Sequence, residues 1–298
     1  MKKLFAFLLL AALALPALAQ SLPSLYTPLD TRSMALGGAG AALDAGAMAS
    51  STNFAATALD NRNLCIGFVY GQWAPVPEPD HLGGIGGWYR DGRVSFGLAA
   101  TGAFHPAIEM TDISGRPLGN NYSPVDITLA ASGAFLVVPG LALSATARLI
   151  SSSLEENASG TAFSFDLDAS FAFGGFQGDV GVANLGSPIR YSQDGNGDAL
   201  PSLARAALAW NGRFLSITAQ ADYLFRYSLS AGAGLECRPL EWLSLRAGYH
   251  YGAVDWGIPS YAAAGLGLHF LGLSLDFAAA FASAELGGSF NAGLSYSF

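Results

Sequence analysis

Phe163, Phe165, Leu167, Ala169, Phe171 and Phe173 occupy every second position of one short stretch, with Ser164, Asp166, Asp168 and Ser170 between them. A helix scatters such residues around its axis, whereas a strand puts the two sets on opposite faces. The pattern recurs in Leu243, Leu245, Ala247, Tyr249 and Tyr251, and again in Phe290, Ala292, Leu294, Tyr296 and Phe298. Each stretch therefore has one apolar face and one face that is small or polar. The alternation predicts fourteen strands, the first at 63–74 and the last at 287–298. Segment 81–90 is glycine-rich without clear alternation, and Asn184 falls on the apolar face of segment 176–186.

The connections carry their own pattern. Asp91-Gly92, Pro139-Gly140, Gly174-Gly175, Asn211-Gly212, Pro239-Leu240-Glu241 and Leu271-Gly272 follow the even-numbered strands. Several of these supply the positive φ that a two-residue hairpin demands. The links after odd strands are generally longer, notably 105–123 and 187–199. Short turns at one end and longer loops at the other are the layout of an outer-membrane barrel, with the short turns facing the periplasm.

Composition decides between a soluble β-protein and a spanning one. Only 12% of residues are charged, 51% are hydrophobic, and mean hydropathy is +0.36. A soluble domain carries about twice that charge. Residues 1–19 have a leader's layout: Lys2 and Lys3, the apolar run Leu4–Leu15, then Ala17-Leu18-Ala19 as a cleavage signal. No later stretch has the eighteen consecutive apolar residues of a spanning helix. The sequence thus predicts an exported all-β protein, a transmembrane antiparallel barrel of about 14 strands. Its expected divisions are a leader at 1–19, a segment at 20–62 without alternation, and the barrel at 63–298. Lipid offers the backbone no hydrogen-bond partners, so the sheet has to close. Fourteen strands enclose more space than their own side chains fill, which makes 20–62 the expected filler, a hatch or plug.

After the leader there are no lysines, and 12 arginines face 22 acids, so no nucleic-acid partner is expected. The glycines of TRSMALGGAGAALDAGA (31–47) suggest a phosphate loop, yet Leu43 stands where G-x-G-x-x-G needs glycine and no Lys-Ser/Thr pair follows. Glycine and alanine there suit close packing in a crowded lumen. Asp194, Asn196 and Asp198 have the opening spacing of a calcium loop, but Ala199 and Arg205 replace its glycine and glutamate, which leaves a polar surface loop. The only histidines are His81, His105, His250 and His269, and no nucleophile elbow or metal spacing accompanies them, so neither catalysis nor a cofactor or metal is expected. Cys65 and Cys237 read as small apolar fillers on distant strands.

Alternation puts Arg148, Asp166, Asp168, Asp222, Glu236, Arg238, Arg246 and Asp276 on the inner face. These are expected to form a polar network with Arg32, Asp44 and Asn53 of the filler segment. Whether the network only binds wall to hatch or also lines a solute path stays open at this level.

Residues 31–59, TRSMALGGAGAALDAGAMASSTNFAATAL, together with 180–191, 200–210 and 229–252, resemble the PorV/PorQ family of outer-membrane proteins, relatives of the FadL-type fatty-acid transporters. The resemblance implies a fourteen-stranded barrel with an internal N-terminal hatch in the outer membrane of a Gram-negative-type bacterium. It departs at Asn53-Phe54-Ala55, where the family has Asn-Pro-Ala, and in its modest loops. Two functions follow from it. One is an accessory of type IX-like protein secretion that binds machinery proteins, the reading nearer to the motifs; the other is a FadL-like channel for small hydrophobic solutes such as fatty acids.

Overall fold

Fourteen antiparallel strands close on themselves without an edge, each hydrogen-bonded to two neighbours. The computed structural model describes residues 22–298 apart from 74–77, 113, 156–157, 192–196, 226–228, 253–257 and 282–287. The leader and the Asp194 and Asn196 of the calcium-like loop lie outside the described residues.

The strands in chain order are β1 (Leu64–Trp73), β2 (Asp80–Asp91), β3 (Val94–Phe104), β4 (Ile108–Thr111), β5 (Pro117–Tyr122), β6 (Val125–Val138), β7 (Leu141–Glu155), β8 (Ala158–Phe173), β9 (Phe176–Gly186), β10 (Leu203–Asn211), β11 (Leu215–Leu224), β12 (Leu229–Leu240), β13 (Leu243–Tyr251), β14 (Tyr261–Phe270), β15 (Leu273–Phe281) and β16 (Ser289–Ser297). All but β4 and β5 form the wall. The barrel closes where β1 pairs with β16, with Cys65 opposite Ser297 and Gln72 opposite Phe290. The backbone N–H groups of Asn63 and Leu64 donate to the carbonyl of Phe298, fastening the seam at its end.

Along β7, burial alternates without a break from Leu141 to Ser152. Leu143 and Leu149 point outward, while Ser144, Thr146 and Arg148 point into the lumen. The outer face bears exposed Phe, Leu and Tyr on every side, among them Phe96, Phe165, Leu235 and Tyr249. That inversion of a soluble protein's surface is what lipid requires. The short turns sit together at one end, with positive φ at Gly92, Gly140, Gly174, Gly175 and Gly272. Leu271 also takes a positive φ of 48°, completing with Gly272 a two-residue turn of the kind hairpins favour.

Three local features differ from the sequence expectation. The link 105–123 contains a hairpin, β4 with β5, whose residues are mostly exposed on both faces. Cys65 is a buried filler, but Cys237 is exposed on the outer face, and both thiols are free. Asn184 does not face lipid. It adopts φ 58° where the β8–β9 register shifts, and this bulge turns it inward until it is 2% exposed. There its N–H donates to Asp166 Oδ1 at 2.8 Å and its carbonyl accepts from Ser202 Oγ at 2.7 Å.

Candidate functional site

The space enclosed by the wall is occupied by residues 22–62. This chain segment has little regular structure: α1 (Thr31–Ala35), α2 (Ala56–Leu59) and single 3-10 turns at Pro23–Leu25 and Ala49–Ser51. Asp30 caps α1, its side chain accepting from the N–H of Ser33 at 2.7 Å, the N-cap arrangement that a short polar residue before a helix provides. Burial pushes the Asp30 carboxyl above its ordinary pKa.

The segment starts at the long-loop end, where Leu22 packs with Ile150, Ala162, Ile189 and Leu200. It reaches the short-turn end at Asp44, whose carboxylate accepts from Gln177 at 3.1 Å, and finishes beside Trp88 and Cys65. A segment this irregular leaves its own backbone polar groups unpaired, and buried ones must find partners. Wall side chains supply them. His250 Nδ1 meets the carbonyl of Gly37 at 3.2 Å, Thr218 Oγ1 donates to that of Ala39 at 2.8 Å, and Gln220 Oε1 accepts from the N–H of Ala41 at 3.1 Å. Arg148 donates to the carbonyl of Ser50 at 3.2 Å and Arg205 to that of Thr52 at 2.7 Å. Trp88 Nε1 donates to Gly46 at 3.0 Å. The Asn53 amide bridges the carbonyl of Ala41 (2.7 Å) and Ser170 Oγ (2.8 Å).

Glycine sets how closely wall and segment approach. The turn Leu36-Gly37-Gly38-Ala39 rests on Gly232, Gly234 and Gly248 of β12 and β13. A Cβ at Gly248 would stand 2.2 Å from the Leu36 carbonyl carbon, inside any permissible contact. This is the role of the glycine-rich stretch that imitates a phosphate loop: small residues meet small residues at a contact with no room for more. The glycines that blur the alternation of β2 act likewise, since Gly84 and Gly86 face Met48 and Ala47.

The inward charges sort into islands. Glu236 is held by three arginines: Arg32 with two hydrogen bonds (2.8 and 2.9 Å), Arg246 at 2.7 Å and Arg238 at 2.9 Å. Arg246 also pairs with Asp276 across Gly267, whose missing side chain leaves room for the contact. Against the opposing effect of burial, Glu236 above all, then Asp44 and Asp30, hold the Arg32 guanidinium protonated, above its already high ordinary value. Arg148 pairs with Asp166, and Arg205 pairs with Asp222 at 3.0 Å. Asp168 joins no ion pair among the described residues and accepts from Ser144 Oγ at 3.2 Å. Of the residues that the sequence singled out, Arg32 with Glu236, Asn53, Arg148 and Asp44 thus link segment and wall directly, Asp44 from an exposed place at the margin. Asp30, Gln220 and Arg205 were not among them. Asp30 precedes a helix-prone run and carried a readable capping signal; Arg205 is hidden in alanine.

At the long-loop rim, His105 bridges two carboxylates, Asp80 at 2.8 Å and Asp126 at 3.3 Å, and Ser24 of the segment donates to the same Asp126 at 2.8 Å. These two carboxylates raise the His105 pKa from 6.5 to about 9.

What space remains lies in two main cavities. One, of about 100 Å³ in the long-loop half, is bounded by Leu25, Leu29, Ile258 and Tyr261 on one side and by Arg205 and Asp222 on another. The other, of about 540 Å³ in the short-turn half, has Arg32, Glu236, Arg246 and His269 in its lining beside Leu43, Met48 and Val69. Asp30, Ser33, Ala41 and Thr52 line both and form the partition between them. The long-loop half also holds an apolar cluster of Trp73, Leu82, Leu203, Leu224, Ile258 and Tyr261, with Tyr26 and Leu29 packed on it.

No protein-family model matches the chain, and no curated protein matches it by sequence. Solved structures do match its fold. The Pseudomonas putida toluene transporter TodX aligns over 90% of this chain and 97% of its own with 13% identity and a TM-score of 0.69. The Ralstonia pickettii toluene transporter TbuX aligns over 90% and 97% with 14% identity and a TM-score of 0.64. A Pseudomonas aeruginosa FadL homologue aligns over 91% and 96% with 12% identity and a TM-score of 0.56. The chain thus has the barrel fold of the FadL-like transporters. The narrower PorV/PorQ resemblance finds no counterpart among these structures.

Proposed function

We propose that the chain is an outer-membrane channel for small hydrophobic solutes, with residues 22–62 acting as its hatch. The observation that carries this reading is a FadL-like barrel whose lumen keeps a cavity of about 100 Å³ beside the apolar cluster at the long-loop mouth and a second of about 540 Å³ behind it. With the short turns in the periplasm, a solute from outside meets the apolar cluster first and the larger cavity after it. The structures of like fold are described as toluene transporters and a FadL homologue, in line with this reading. A secretion accessory is supported only by motif resemblance.

In this reading the hatch gives way where Asp30, Ser33, Ala41 and Thr52 line both cavities. The test is entry of labelled oleate or toluene into Gram-negative cells that lack their own uptake channels, with and without this protein. Faster, saturable entry is expected. Entry at the rate of the empty host, with the folded barrel present in the outer membrane, would exclude the channel.

A further inference from the structure

Tyr261 opens β14 at the edge of the apolar cluster and is only 1% exposed. Its ring stacks on His250 (centroids 4.9 Å apart, 15° between planes) and meets the edge of Trp73 at 5.7 Å. The ring is therefore fixed. Its hydroxyl has no hydrogen-bond partner among the described residues. A phenol buried without a partner is unfavourable, and tyrosines so placed ordinarily find one. The side chain lines the cavity of about 100 Å³, next to Gly38. Gly38 adopts φ 82°, and a Cβ there would lie 3.3 Å from His250 Nδ1 and 3.7 Å from Tyr261 Oη, so the glycine stands beside the hydroxyl.

That cavity is one of three that share walls on the N-terminal segment. It adjoins one of about 40 Å³ through Leu25, Tyr26 and Thr52, and one of about 20 Å³ through Ser24, Thr27 and Leu29. Summed, the three come to about 160 Å³, of the order of the roughly 150 Å³ that accommodates a benzene ring. Leu29 and Ile258 offer an apolar surface to such a ring.

The geometry points to a binding site for one-ring solutes that carry a single oxygen, phenols above all, with Tyr261 Oη as the hydrogen-bond partner of that oxygen. The inference rests on the channel reading and narrows it. A pure hydrocarbon would bury the Tyr261 hydroxyl against carbon, whereas a phenol satisfies it, and a site built for one hydrogen bond discriminates against the analogue lacking it.

The test uses fluorine NMR with the full-length protein in lipid nanodiscs, subtracting empty nanodiscs. 4-Fluorophenol and fluorobenzene serve as probes that differ only in the hydroxyl. 4-Fluorophenol is expected to bind saturably and at least about fivefold more tightly than fluorobenzene, the worth of one ordinary hydrogen bond. Tyr261→Phe keeps the stacked ring and is expected to weaken 4-fluorophenol by the same factor while leaving fluorobenzene unchanged. Equal affinity of the two probes for the wild-type protein would overturn the inference without recourse to any variant. So would full retention of 4-fluorophenol binding by Tyr261→Phe. The cell-entry assay separates the two ideas: entry of toluene with no preference between the probes leaves the channel and removes the phenol site. Probe discrimination without entry of any solute removes the channel and leaves a binding site.

Discussion

The wall and the segment inside it are built from the same residue types but are held by different means. Every wall strand lies in a continuous ladder of backbone hydrogen bonds that closes on itself. Residues 22–62 join no wall strand by such a ladder. Side chains that reach in from the wall and glycine seats hold them. A ladder is sequence-tolerant, because any residue supplies its N–H and C=O. A seat made of Glu236, Thr218, Gln220 and Gly248 is not. The comparison teaches that single substitutions can loosen the segment while the barrel stays intact, the property a movable hatch needs.

The sharpest way to break that comparison is Glu236→Gln. It leaves Arg32, Arg238 and Arg246 converging on a neutral group, and disrupting a buried ion pair costs about 3–5 kcal/mol. Protease cutting within 31–62 should accelerate, whereas the heat-modifiable gel mobility of a folded barrel should persist. Loss of both together would mean that segment and wall form one cooperative unit.

Gly248→Ala should come next, at about 1–3 kcal/mol, as overpacking against an unyielding backbone does. Hydrogen exchange at Leu36–Ala39 is the readout, with exchange in β12 and β13 expected to change less.

A smaller effect belongs to the rim. His105 gains two carboxylate partners on folding, which raises its pKa, so its stabilisation is complete below about 6.5 and is lost as pH climbs through about 9. Protection of residues 22–27, tied there through Ser24 and Asp126, should fall between pH 8 and 10. His105→Gln should abolish that step; an unchanged step in the variant would assign it to another group.

Gly84→Ala should matter least, below about 1 kcal/mol. The nearest atom to the new Cβ is Met48 Cε at 2.8 Å, the tip of a flexible thioether that can swing aside. A cost equal to that of Gly248→Ala would show that the β2 side of the seat is as rigid as the β13 side.

Sequence and structure agree best where a residue's neighbours are set by period alone. The barrel is legible in Phe163–Phe173 or Leu243–Tyr251 because lipid on one side and lumen on the other impose alternation at each step. β4 and β5 carry no such signal, since both of their faces are exposed. Asn184 could not be placed from its parity, because a bulge resets parity and the partners that steady it, Asp166 and Ser202, are 18 residues away on either side. In the lumen the inward charges were readable one by one, but their partners were not. Glu236 meets Arg32 from 204 residues away, and nothing local says which arginine will arrive. Tyr261 stands at the start of a strand of alanine and glycine, and only the fold brings His250, Trp73 and the cavity to it.

The most direct test of the channel is solute entry itself. Cells whose own uptake channels are deleted should take up labelled oleate or toluene faster, and saturably, when this barrel is present in their outer membrane. Glu236→Gln should alter that rate while the amount of folded barrel stays constant. Entry identical to that of the empty host, for wild type and variant alike, would contradict a hatch that gates hydrophobic solutes.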